Sequence, residues 1–209
     1  MKKIFLFIYI LSKFSCLGQT ILKTDDVWSI SGLIEAGCSM AEDKNYNGAL
    51  ILFSKVIELD NKNSEAYFYM GLTNKNLNNY KEAMKNYNYA ITFNPKYENA
   101  YFNRGMLKND LEDFRGAVLD YDKVIEINKN NFDCLTYRGM AKIKLLDYDG
   151  GLIDFNVAIQ INPEYILAYL QRGQAKLNVG LKEEACLDFS KAGELGFDAA
   201  YNIIKRYCN

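Results

Sequence analysis

The chain has 209 residues, 49% hydrophobic and 24% charged, with a net charge of -1. This is ordinary globular composition with room for a substantial core, and it advertises neither a nucleic-acid partner nor a disordered acidic tail. Histidine is absent, which removes histidine acid–base catalysis, histidine-containing triads and most zinc sites; only two prolines occur, which suits helices.

The first residues, MKKIFLFIYILSKFSCLGQT, read as a leader. Lys2 and Lys3 give a charged start, Ile4 to Leu11 an apolar run, and Cys16 and Gly18 stand at −3 and −1 of a cut before Gln19. That is the pattern of a secretory signal peptide, 1–18, and the run is too short to span a bilayer. A lipoprotein cut before Cys16 fits less well, because Lys13 stands where such signals carry leucine. The expected location is an exported compartment: periplasm, extracellular space or secretory lumen. Membrane attachment follows only if the leader stays uncleaved or is lipidated. Residues 19–29 are a lead-in.

From residue 30 onward one interval governs the sequence. Gly37, Gly71, Gly105, Gly139 and Gly173 are spaced by 34 residues. At the same step run an aromatic column (Phe53, Tyr87, Tyr121, Phe155, Phe189) and a small column (Ala49, Ala83, Ala117, Gly151, Ala185). A second aromatic column (Tyr46, Tyr80, Phe114, Tyr148) is broken by Lys182, and an aliphatic one (Ile57, Ile91, Ile125, Ile159) by Gly193. Such a period marks a repeat architecture. In the unit SEAYFYMGLTNKNLNNYKEAMKNYNYAITFNPKY, Tyr67, Met70, Gly71, Asn74 and Leu77 sit at helical spacing, and so do Ala83, Tyr87, Ala90 and Ile91. Asn78-Asn79 supplies the turn and Asn94-Pro95 ends the second helix.

The unit resembles the tetratricopeptide repeat family, whose pattern of an aromatic at the fourth place, small residues at the eighth, twentieth and twenty-seventh, and a late proline is met by Tyr67, Gly71, Ala83, Ala90 and Pro95. The resemblance implies an all-α fold, a right-handed α-solenoid of helix–turn–helix units at 30–63, 64–97, 98–131, 132–165 and 166–199, followed by a capping helix at 200–209. The first unit departs at Leu33 and Asn61, and the fifth ends without proline, as edge units often do.

Arginine recurs at the seventh place (Arg104, Arg138, Arg172) and aspartate at the twenty-third (Asp120, Asp154, Asp188). Both are missing from the first two units, which have Ala36 with Leu52 and Met70 with Asn86. A partly buried guanidinium needs an acceptor. The pairing expected is between units: Asp120 with Arg138, Asp154 with Arg172, Asp188 with Arg206, and Arg104 with Asn86. Pairing within a unit is the alternative. Lys108, Lys142 and Lys176 lie four residues after each arginine and are expected to be solvated or locally paired.

In solenoids of this family, which the units resemble, the first helix of each unit lines a concave surface, with the second, fifth and ninth places facing it. Ile34 and Cys38 hold the fifth and ninth in the first unit. The peptide-binding groove is therefore expected at Phe68, Leu72, Phe102, Met106, Thr136, Met140, Leu170 and Gln174, rimmed by Asn76, Asn99, Asn109 and Asp110. The chain's own residues 19–29 are the competing cover for some of it. The carboxylate clamp of some family members is not supported, since Phe68 and Leu72 replace its lysine and asparagine and Asp133 and Tyr137 its basic residues. No phosphate loop, nucleophile–base pair or metal-ligand spacing occurs, so no catalytic residue, metal ligand or cofactor is assigned. The expected partner is a protein or peptide, not nucleic acid. The expected function is an interaction scaffold or adaptor, with a self-associating structural subunit as the alternative and an enzyme not expected. Among the mature cysteines (Cys38, Cys134, Cys186, Cys208), irregular spacing favours buried free thiols over disulfides.

Overall fold

A computed structural model describes residues 29–208, so the leader and most of the lead-in lie outside the described residues. Five helix pairs follow one another: α1 (Ile30–Glu42) with α2 (Tyr46–Leu59), α3 (Ser64–Asn76) with α4 (Tyr80–Phe93), α5 (Glu98–Asp110) with α6 (Phe114–Ile127), α7 (Phe132–Lys144) with α8 (Tyr148–Ile161), and α9 (Ile166–Asn178) with α10 (Lys182–Glu194). A final helix, α11 (Ala200–Tyr207), packs on α10. The described residues contain no strand.

Local chemistry sets the ends of these helices. Side chains of Asn45, Asp113 and Asp147 accept from the backbone N–H three residues on at the starts of α2, α6 and α8, and Ser29, Asn63 and Asn131 do so for α1, α3 and α7. Within each pair the turn passes through a residue with positive φ: Lys44, Asn78, Glu112, Leu146 and Gly180, at 60–84°. Four of the five are not glycine, so this turn carries a modest conformational cost.

The core is a file of rings. Phe53, Tyr87, Tyr121, Phe155 and Phe189 are fully or almost fully buried, each lying between the two helices of its own pair. The periodic glycines face these rings directly. A Cβ added at Gly105 would stand 2.8 Å from the Tyr121 ring, and one at Gly71 2.5 Å from Tyr87. Glycine therefore admits the ring, and this gain outweighs its helix penalty of about 1 kcal/mol. The buried alanines at 49, 83, 117 and 185 let the paired helices approach.

Successive first helices (α1, α3, α5, α7, α9) also touch one another, whereas no two second helices do so to the same extent among the described residues. The first helices thus line the tighter, inner wall and the second helices the splayed outer wall. Nearest-neighbour packing of this kind makes the molecule an α-solenoid.

The arginine–aspartate pairing differs from expectation. Arg104 donates from Nε and Nη2 to both carboxylate oxygens of Asp120, in its own helix pair, at 2.9 and 2.6 Å. Arg138 does the same with Asp154, and Arg172 with Asp188. The two helices of a pair run side by side with these places opposite each other, so the bidentate fork closes within the unit. The remaining Nη1 reaches back to the preceding unit: Arg104 to Asn88 at 2.6 Å, Arg138 to Asp122 at 2.7 Å and Arg172 to Asn156 at 2.7 Å. Each arginine does link units, two places further along the second helix than expected. The lysines join the same carboxylates, with Lys108 on Asp120 at 2.8 Å, Lys142 on Asp154 at 2.8 Å and Lys176 on Asp188 at 3.0 Å.

Two expected partners are otherwise engaged. Asn86 donates to the Glu82 carbonyl rather than meeting Arg104, and Arg206 lies over the Tyr207 ring rather than beside Asp188. The reason for the second lies at the end of α10, which stops at Glu194 and turns through Gly196 at φ 102°. Gly193 breaks the isoleucine column where the Tyr201 ring of α11 settles; a Cβ there would lie 2.9 Å from it. The last helix therefore docks in its own register.

The cysteine expectation is half corrected. Cys186 on α10 and Cys208 after α11 form a disulfide, which ties the last helix to the array. Cys38 and Cys134 are free, Cys134 fully buried and Cys38 half-buried.

Candidate inner-wall binding surface

Helical geometry carries the fifth and ninth places of each first helix to one face, since residues four apart are neighbours there. Packing then divides the expected groove residues. Phe68 is buried among the rings of Tyr69, Tyr87 and Tyr97, at centroid distances of 5.3, 6.2 and 5.1 Å. Thr136 is fully buried and donates its hydroxyl to the Phe132 carbonyl. Both support the wall from behind and offer a ligand nothing. Phe102 and Met106 are half-buried against Tyr121, and Phe102 also meets Tyr137 edge-on at 5.5 Å. Leu170 is half-buried beside Tyr169 and Ala192. Leu72 is half-buried, and Gln174 is exposed, its amide donating to Asn178 at 3.2 Å.

Between neighbouring first helices the inner wall opens into crevices. One, of about 270 Å³, lies between α1 and α3 and is lined by Cys38, Ala41, Glu42, Phe53, Tyr69, Leu72, Thr73 and Asn76. Another, of about 360 Å³, lies between α7 and α9 and takes in Met140, Ile143, Lys144, Gln171 and Gln174. The two use equivalent places in different repeats. Leu72, Met140 and Gln174 are the expected residues that reach open space in them. Between these ends the Lys75 ammonium bridges α3 to Asp110 of α5 at 3.2 Å.

Sequence reasoning by fifth and ninth places missed Tyr69, Ile143 and Gln171. The signal was present, because the sixth and twelfth places lie one turn from the ninth on the same helix face. The Cys38 thiol is pushed up by burial and by the Glu65 and Glu42 carboxylates, against a hydrogen bond with Tyr69 that pulls it down. Burial raises Cys134 much further. Neither is an activated thiolate.

The outer wall carries a second apolar feature. Ile51, Leu119, Ile153 and Leu187 recur at the twenty-second place and are 60%, 65%, 60% and 71% exposed. Only Lys85 interrupts the row. An opening of about 560 Å³ beside it is mixed in character, with Ile125, Leu135, Ile153 and Val157 set among Asp122, Glu126, Lys129, Arg138 and Asp154. The 34-residue step holds this column too, but it is legible only once exposure separates it from the core columns.

These features define a helical-repeat scaffold with a crevice-lined inner wall. Models of the tetratricopeptide repeat match residues 52–85 and 98–131, and a TPR repeat model matches residues 76–110. Residues 52–131 are therefore tetratricopeptide repeats by sequence. No curated protein matches it. Among solved structures, a crystal structure of MamA is similar at a TM-score of 0.72 and 22% identity, covering 79% of this chain and 96% of that one. MamA 41-end from Desulfovibrio magneticus RS-1 gives a TM-score of 0.73 at 16% identity, covering 79% and 94%. YrrB, described as a TPR protein with an unusual peptide-binding site, gives 0.71 at 19% identity, covering 88% and 94%. At these identities the likeness establishes the fold alone.

Proposed function

We propose that the protein is a binding scaffold that holds a peptide or partner segment along its inner wall and performs no catalysis of its own. The observation that carries this reading is the pair of equivalent crevices, between α1 and α3 and between α7 and α9, on one face of the helix array. Side chains of a bound segment enter such crevices, while the polar rim satisfies its backbone. The peptide-binding site named for YrrB is in keeping with this. The test is affinity capture from the native host with the full chain and with Met140→Glu combined with Gln174→Glu. Loss of a captured protein from the variant, with its helical circular dichroism retained, supports the reading. Retention of every captured protein refutes it.

The exposed outer row of Ile51, Leu119, Ile153 and Leu187 favours a second reading, self-association. Light scattering of the protein and of Leu119→Lys with Leu187→Lys separates the two. A concentration-dependent oligomer that the variant abolishes supports self-association, and a strict monomer excludes it. We place the protein in an exported compartment, on the leader pattern of residues 1–18 and on the Cys186–Cys208 disulfide, a bond that persists in oxidising surroundings.

A further inference from the structure

The two inner-wall crevices differ in charge. The α1–α3 crevice has apolar walls of Cys38, Phe53, Tyr69 and Leu72, and at about 270 Å³ it has room for one bulky side chain, the share of roughly nine waters at ~30 Å³ each. Its mouth is acidic. Glu42 lines it, one turn from Cys38 on the same face of α1. Glu65, at the start of α3, stands close enough to bear on the Cys38 thiol, as Glu42 does. Both carboxylates are exposed and form no ion pair among the described residues. The α7–α9 crevice presents Lys144 with Gln171, Gln174 and Asn178, and no carboxylate. The Lys75–Asp110 pair neutralises the wall between them.

An apolar slot inside an unpaired acidic rim is complementary to a bulky apolar residue with cationic neighbours. Charges left unpaired at a mouth steer a complementary segment in and repel an acidic one. Resting on the groove reading above, we infer that the α1–α3 crevice receives a bulky apolar side chain from a partner segment whose flanking residues are lysine or arginine. The rim then fixes the direction of the bound segment, its basic end over α1 and α3 and its neutral or acidic end over α7 and α9.

The probes are two fluorescein-labelled peptides, one with tryptophan between lysines and the other with tryptophan between glutamates, titrated by anisotropy into the full chain. The lysine peptide is expected to bind, to weaken as salt is raised, and to lose roughly tenfold in affinity with Glu42→Lys combined with Glu65→Lys. It is also expected to slow alkylation of Cys38 by iodoacetamide, mapped by mass spectrometry, while Cys134 is unaffected. Equal binding of the two peptides, or a Cys38 as open with peptide as without, overturns the inference. So does lysine-peptide binding that appears only after Lys23→Glu, which assigns the crevice to the chain's own N-terminal segment. A dimer dissociated by the lysine peptide assigns it to a second copy and overturns the inference likewise. The variant at the far crevice keeps the two readings apart. If Met140→Glu with Gln174→Glu loses captured partners while the peptides bind equally, the scaffold reading stands and this one fails. If the lysine peptide binds as expected while capture is indifferent to that variant, the reverse holds.

Discussion

Replacing Asp154 by alanine tests the ion-pair ladder at its most buried rung. The Asp154 side chain is 2% exposed and accepts from Arg138 Nε at 2.9 Å, Arg138 Nη2 at 2.6 Å and Lys142 Nζ at 2.8 Å. Its removal strands a guanidinium that is 17% exposed and an ammonium that is 20% exposed. Breaking a buried pair from one side costs about 3–5 kcal/mol. Arg138 keeps Asp122, but that carboxylate is 41% exposed, and such a contact returns about 1 kcal/mol or less. Arg138 also stays charged throughout: burial disfavours its cation, but hydrogen bonds and charges from Asp154 and then Asp122 outweigh this and raise its pKa. The expected loss is therefore about 3 kcal/mol, at the lower end of the range. Urea denaturation followed by circular dichroism reads it as a fall in midpoint. A double-mutant cycle with Arg138→Ala then separates the pair from the packing. A loss below about 0.5 kcal/mol, the range of ordinary surface substitutions, refutes the claim that the buried fork holds the two helices together.

Gly105→Ala should cost about 1–3 kcal/mol, because its Cβ would lie 2.8 Å from the Tyr121 ring, and a midpoint at or above wild type in the same denaturation would refute the close-approach argument. Reducing the Cys186–Cys208 bond should release about 3 kcal/mol of loop-closure stabilisation, felt first in α11, which packs mainly on α10 and of whose residues only Ala200 is fully buried among those described. Hydrogen exchange should then rise across residues 200–207 ahead of the rest, and unchanged exchange after reduction refutes it. Burial raises the pKa of Tyr87, Tyr97, Tyr121 and Tyr165 well above the ordinary value of about 10. A raised native pKa means their stabilising contribution is complete below pH ~10 and is lost as pH climbs from there toward the native values. The last part of the phenolate absorbance, that of these four, should therefore appear together with loss of helical signal in alkaline titration. Complete ionisation of the tyrosines in a protein still fully helical would refute this.

The candidate site was only partly legible in the sequence. Leu72, Met140 and Gln174 reach the crevices as their places imply, because the helix period alone sets which face they occupy. Phe68 and Thr136 hold the same fifth place as Phe102 and yet are buried. The difference lies in neighbours: Tyr69 and Tyr97 close over Phe68, and no pattern along one helix contains that information.

By itself the sequence determined the repeat: helix pairs, the glycine facing each ring and the small residues at each crossing. Each of these follows from spacing along the chain and contact with the next unit, which is all that a one-dimensional stack requires. The tertiary structure alone decided which carboxylate each arginine takes. Asp120 is almost equally far along the chain from Arg104 and Arg138, and only the lateral register of paired helices places it opposite Arg104. The same holds for the join of Cys186 to Cys208 and for the unpaired carboxylates at one end of the inner wall. These depend on where three-dimensional neighbours leave off, which a periodic sequence does not record.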